Sequence, residues 1–263
     1  MLEKRVISAL ILLPLLVVVT ICGGVLFKGS VIIITAIALF EYISAYKNTE
    51  NKVATFVIII GFLMYYAIIL INEFSFIPPI IFLVVILSMA MPIFNDNYNV
   101  ISSGITFIGF VYIVCFFSLL ILIREHNDGN TLIWLVFIIS WCSDTFAYYT
   151  GKAFGKRKLC PKVSPKKTVE GAIGGIVGSV LGILIWSFLN PSMNILWYQL
   201  IILGVVGSIV SVIGDLSASL IKRYIGIKDY SNIIPGHGGI LDRFDSILFT
   251  APVVYYCIVI LLG

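Results

Sequence analysis

At 263 residues, with 60% hydrophobic and 11% charged side chains and a mean hydropathy of +1.10, the chain is far too apolar for an ordinary soluble domain. Its formal net charge of +4 is modest, and its five cysteines, Cys22, Cys115, Cys142, Cys160 and Cys257, stand singly with no C-x-x-C pair. That pattern argues against both a disulfide framework and a thiolate metal site.

Apolar runs long enough to cross a bilayer core follow one another along the sequence. The first, from about Val6 to Phe27, comes after a basic start with Lys4 and Arg5. It is too long for a signal peptide and reads as a retained helix. Further spans are expected at about Ser30–Tyr46, Val53–Ile71, Phe76–Phe94, Ile101–Ile123, Thr131–Thr150, Ala172–Leu189, Trp197–Ile221 and Ser246–Leu262. The expected fold is therefore all-α: a polytopic transmembrane helical bundle of about nine helices. It forms one integral membrane domain over 1–263, with N-terminal helices in 1–130 and the polar chemistry in 131–263. When the gaps between spans are assigned alternately to two sides, one side receives every lysine and arginine of the 17 except Lys28 and Arg124. The positive-inside rule then puts the N-terminus and the basic loops in the cytoplasm.

The early spans hold little chemistry. Glu41 lies inside an apolar run, where a carboxylate needs a partner or a wet cavity, so it either bonds between helices or lines a site. Pro14, Pro78–Pro79 and Pro92 fit kinks or helix ends. The stretch Asn95-Asp96-Asn97-Tyr98-Asn99 reads as a solvated turn, and the segment around His126 as a polar loop. The sixth span ends differently: Ser140, Asp144 and Tyr148 recur every fourth residue and share one face, just before a basic loop.

That loop leads into Ser164-Pro-Lys166-Lys167-Thr168-Val-Glu170-Gly171. Two lysines and two hydroxyls stand immediately before a helix whose N-terminus adds partial positive charge, which makes a ready anion site. Glycines 171, 174, 178 and 182 then mark a helix face that a neighbour approaches closely. The expected neighbour is the eighth span, which has its own Gly204 and Gly207.

The last polar block runs from Asp215 to Ser246 and carries Ser219, Lys222, Arg223, Lys228, Asp229, His237, Gly238, Gly239, Asp242, Arg243 and Asp245. On a helix, Asp215, Ser219 and Lys222 share a face, as do Asp242 and Asp245 on a later one. The Pro-Gly-His-Gly-Gly segment between them permits tight turns and close backbone approach to an anion. Oxygen ligands, cations and a glycine loop together point to a nucleotide-phosphate site at a membrane surface.

Ser219-x-x-Lys222-Arg223, Lys228-Asp229 and His237-Gly238-Gly239-x-x-Asp242-Arg243-x-Asp245 resemble the signature of the phosphatidate cytidylyltransferases, the CDP-diacylglycerol synthases. The Ser164–Gly171 block and the Ser-Asp-Thr-x-Ala-Tyr string around Asp144 are also similar to that family, and the hydrophobic layout matches over nearly the whole chain. The resemblance implies transfer of the cytidylyl group of CTP to phosphatidate drawn from the bilayer, with release of pyrophosphate. It also implies one or two Mg²⁺ ions, a homodimer in the inner (cytoplasmic) membrane and no nucleic-acid partner.

On this reading Asp215 and Asp242 are the expected Mg²⁺ ligands, with Asp144 and Asp245 as further ligands or their supports. Lys222, Arg223, Lys228 and Arg243 hold phosphates, with Asp229 among the catalytic residues, and His237 donates to a phosphate oxygen. Ser164, Lys166, Lys167, Thr168, Glu170, Ser219, Gly238 and Gly239 bind substrate.

Overall fold

A computed structural model describes residues 2–193 and 195–262. The side chains of 2–7, 9 and 261–262, those of Lys4 and Arg5 among them, lie outside the described residues. The helices are α1 (Leu2–Cys22), α2 (Gly24–Tyr46), α3 (Thr55–Ile71), α4 (Ile77–Phe94), α5 (Val100–Gly109), α6 (Phe116–Glu125), α7 (Gly129–Phe154), α8 (Val169–Leu189), α9 (Trp197–Ile225) and α10 (Leu241–Leu262). A wide π-helical turn over Phe110–Cys115 joins α5 to α6 in one rod, so the described residues form nine rods. Seven helical stretches are long and apolar enough to cross a membrane, and Leu10–Cys22 and Thr55–Ile71 are shorter apolar helices. The chain is a multi-pass membrane protein.

The boundary between the first two rods falls earlier than the hydropathy predicts. Gly23 takes a φ of 62° and breaks the helix there, a conformation that costs glycine nothing. The carbonyls freed at the end of α1 are met by Arg124, whose Nε donates to Thr20 O at 3.0 Å and whose Nη2 donates to Ile21 O at 3.3 Å. Lys28, now inside α2, pairs with Glu125. The last span also begins early, at Leu241, because the glycine loop before it is tied down and its helix starts at once.

One element was not expected at all. Between α7 and α8 the chain forms a short antiparallel hairpin, β1 (Lys158–Cys160) with β2 (Ser164–Thr168), pairing Lys158 with Thr168 and Cys160 with Ser164. Glu170 secures it by accepting from the amides of Lys156 at 3.0 Å and Arg157 at 3.2 Å. Thr168 caps α8 by accepting from Gly171 N at 3.1 Å.

The glycine face of α8 packs on α7, not on α9 as the sequence suggests. A Cβ placed on Gly171 would lie 2.7 Å from Ala147 O, and one on Gly175 would lie 2.8 Å from Ser143 O. Gly174, Gly178 and Gly182 meet Thr150, Phe146 and Cys142. Only with the two backbones this close can Ser179 donate to Ile139 O at 2.8 Å across the seam. The contact fixes the hairpin, which hangs between α7 and α8, against the C-terminal end of α7. Gly204 of α9 does face α8, through Val180 and Ile183.

The polar ends segregate. Asn51, in the loop after α2, donates to Tyr224 OH near the end of α9, and Asn99 donates to Asn51 Oδ1. The turn at Asn95–Asn99 is thus tied to its neighbours, with Asn99 capping α5 through Ser102 N at 2.9 Å. Ser8 on α1 reaches the loop before α10. These elements share an end with the hairpin, while Arg124 and Lys28 sit at the opposite one.

Candidate active site

Three helices bring the carboxylates of the polar blocks together. Asp144 projects from α7, Asp215 from α9 and Asp245 from near the start of α10, all within mutual electrostatic reach. Ser246 Oγ donates to Asp144 Oδ2 at 3.3 Å, which couples α10 to α7. One turn deeper Ser140 donates to Thr250 Oγ1 at 3.0 Å along the same seam. Lys167, at the end of the hairpin, sets its ammonium 2.6 Å from Asp215 Oδ2, and Ser219 donates to Asp215 Oδ1 at 3.4 Å. The helix periodicity expected for Asp215, Ser219 and Lys222 thus holds, but the face divides between two partners.

Lys222 turns to Asp242. Its Nζ lies 2.6 Å from Asp242 Oδ1, and the two side chains are only 11% and 2% exposed. The Tyr230 ring lies beneath the same ammonium, 5.5 Å to its centroid, a geometry that favours the cation. Burial, reinforced by nearby ionisable groups, pushes the Tyr230 hydroxyl well above its usual range, so Tyr230 stays neutral. The second oxygen of Asp242 accepts from Tyr230 N and Gly239 N, each at 2.9 Å. Asp242 thereby closes the 230–239 loop onto the start of α10.

Inside that loop Ile234 and His237 bond back on themselves, with Ile234 N to Gly238 O and His237 N to Ile234 O both 2.9 Å. Gly238 adopts a φ of 87°, and a Cβ there would lie 2.9 Å from Asp242 Oδ2. His237 Nδ1 lies 2.8 Å from Ser8 Oγ. Glu41 of α2 accepts from Ser231 Oγ at 2.5 Å, Ile240 N at 2.9 Å and Leu241 N at 2.8 Å. Of the two readings open for Glu41, the helix-to-helix bond is the one found.

The remaining candidates separate by exposure. Lys166, Arg223, Lys228, Asp229 and Arg243 are exposed at this end of the bundle, with Arg223 also donating to Ile227 O at 3.4 Å. Arg243 lies within electrostatic reach of Asp144. Ser164 pairs in the hairpin, and Thr168 and Glu170 have their oxygens engaged by backbone amides, as described above. Sequence reasoning missed Ser246, Ser231, Tyr230 and Ser8. A buried serine or tyrosine beside a glycine loop carries no periodic or charge signal, so nothing in the sequence marked them.

The donor set suits a hard divalent cation, since carboxylate oxygens are its preferred ligands. Among the described residues no three Asp, Glu, His or Cys side chains stand close enough to enclose an ion by themselves. Mg²⁺ does not require that: it commonly keeps waters and binds through one or two carboxylates plus substrate phosphates. Asp215 and Asp144 fit such a partial set.

A profile of the cytidylyltransferase family matches residues 3–261 of this chain. The chain is similar to the phosphatidate cytidylyltransferase of Bacillus subtilis, with 31% identity covering 97% of this chain and 96% of that protein. It is 39% identical to the enzyme of that name from Rickettsia bellii, over 67% of this chain and 79% of the relative. The one from Haemophilus influenzae is 40% identical over 51% and 47%.

Proposed function

Since the chain belongs to the cytidylyltransferase family, we propose that it transfers the cytidylyl group of CTP to phosphatidate, forming CDP-diacylglycerol and pyrophosphate. A phosphate oxygen of the lipid forms the new bond to the α-phosphorus of CTP as the bond from that phosphorus to the bridging oxygen breaks, and pyrophosphate leaves with the electron pair. The nucleophile is already an anion, so no general base is required. The barrier is the approach of two polyanions and the charge that gathers on the leaving group.

The observation that carries the reading is the convergence of Asp144, Asp215 and Asp245 with Lys167 and exposed arginines and lysines at one end of the bundle. Asp215 and Asp144 would hold Mg²⁺, with Asp245 beside them. When bound, the ion supplies charge neutralisation at the triphosphate. Asp242 we assign to holding the loop instead, because Lys222 and two amides already occupy its oxygens. Lys167 balances Asp215 in the free chain and is within reach to serve a phosphate, while Lys166, Arg223, Lys228 and Arg243 screen the incoming anions. Thr168, Glu170 and Ser164 act by shaping the hairpin that carries the two lysines.

This end of the bundle is taken to face the cytoplasm, where CTP is, in the inner membrane; the segregation of basic residues supports that orientation. The test is pyrophosphate release by the purified protein in detergent. Release that requires CTP, phosphatidate and Mg²⁺ together, with CDP-diacylglycerol as product, is the expected result. Release without phosphatidate, or none with all three in folded protein, would overturn the assignment.

A further inference from the structure

Glu41 is separated from the site by most of the sequence, yet its carboxylate is 1% exposed and fully engaged at the start of α10. It accepts from the amides of Ile240 and Leu241, the latter 200 residues away in sequence, and from the hydroxyl of Ser231 at the far side of the loop. Helix N-terminal amides have no partner within their own helix, and the helix dipole favours an anion there. Here the cap comes from another helix altogether. Gly239 completes the arrangement: a Cβ on it would lie 2.6 Å from each Glu41 oxygen, so only glycine lets the carboxylate reach the amides.

The consequence lies in what the first two turns of α10 carry. Asp242, Arg243 and Asp245 follow directly on the two capped residues, and Asp245 is the α10 member of the carboxylate cluster with Asp144 and Asp215. The start of α10 is therefore bonded to α2 as well as to α7 and α9. We propose that Glu41 is a positioning residue for cytidylyl transfer: it sets the height and rotation of the start of α10 so that Asp245 and Arg243 register with Asp144 and Asp215, and Gly239 is required by Glu41, not by a ligand. The proposal rests on the transfer reading and on the placement of the site at these carboxylates.

The test uses the full chain in detergent with Glu41→Gln, Glu41→Ala, Gly239→Ala and, as a separate check of the site, Asp215→Asn. Folded fraction, melting temperature, kcat, and KM for CTP and for phosphatidate are measured for each. Glu41→Gln keeps one acceptor oxygen for Ser231 and Ile240 but turns an NH₂ toward Leu241 N, so it should retain more activity than Glu41→Ala. The expected result is folded protein whose kcat falls by about 10- to 100-fold, the scale that a misplacement of about 1 Å produces, in the order parent, Gln, Ala. KM for phosphatidate should change less than kcat, because Lys166 and Lys167, which serve substrate phosphate in this reading, lie on the hairpin and not on α10. Gly239→Ala should show the same split. A kcat within about twofold of the parent for folded Glu41→Ala, or losses that follow only the folded fraction in all three variants, would overturn the proposal. Full activity of Asp215→Asn would instead remove the site reading, whatever Glu41 does.

Discussion

Polar groups that join α1 to α6 to one another are mostly neutral, whereas those in α7 to α10 pair as charges across helices and leave further charge at the surface. In the first region Thr35 shares a hydrogen bond with Tyr66 OH at 2.8 Å, Tyr42 donates to Ile105 O at 3.0 Å, and Ser103 donates to Ser88 O at 2.7 Å. Each is a neutral donor finding a neutral acceptor inside a helix bundle, which is what a low-dielectric setting demands. In the second region the bonds are Lys167 to Asp215, Lys222 to Asp242 and Ser246 to Asp144, with Arg223, Lys228 and Arg243 left outward. Satisfied neutral pairs hold helices together; charges arranged across three helices are what the proposed transfer requires. Glu41 joins the two regions, which is why the first region is not a passive anchor.

The contrast can be broken most sharply at Asp215. Asp215→Asn should lower kcat for pyrophosphate release by about two to three orders of magnitude, the scale of losing one strong electrostatic contact to the reacting charge, while a melting curve in detergent stays near that of the parent. Parent-like activity would place the chemistry elsewhere.

Next in size is the Lys222–Asp242 pair. Asp242→Ala leaves a buried ammonium without its carboxylate and should cost about 3–5 kcal/mol of stability, whereas Lys222→Met with Asp242→Leu should recover only the part due to the stranded charge, since the amides of Tyr230 and Gly239 still lose their acceptor. Thermal unfolding of the single and double variants checks this. Activity should remain absent in the double variant, because the loop amides lose the acceptor at Asp242 as well.

Packing gives the third comparison. Gly178→Ala sets a methyl group against the Phe146 ring of α7, while Gly29→Ala meets nothing within 4 Å. The first should destabilise by about 1–3 kcal/mol, as overpacking does, and shift Lys167 through the hairpin. The second should be neutral or slightly stabilising. Equal melting temperatures for both would contradict the α7–α8 seam. The smallest effect belongs to the first region: Tyr66→Phe removes one neutral bond to Thr35 and should cost about 0.6 kcal/mol with kcat and both KM values unchanged.

Much of this was open to a sequence reading. Apolar runs found nine rods because a helix that crosses lipid must satisfy its own backbone and cover it with hydrocarbon. Fifteen basic residues, all but Lys28 and Arg124, separated the two ends. The spacing of Asp215, Ser219 and Lys222 put them on one helix face, as the structure has them. The errors share a cause. The break at Gly23 came four residues early because Arg124, a hundred residues away, takes the freed carbonyls. The α8 glycines chose α7, since a small-residue face says that a neighbour is close but not which one.

What the sequence by itself determined is composition along a line: where helices run, which ends are basic, and which stretches gather the polar residues. Only the tertiary structure decided what each carboxylate does. Asp215, Asp242 and Glu41 are alike in isolation, but Asp242 meets an ammonium and two amides, Glu41 meets a helix N-terminus, and Asp215 stands among other carboxylates with one lysine against it. A carboxylate takes its role from the donors and charges within a few ångströms, and those come from residues that the chain order keeps far apart.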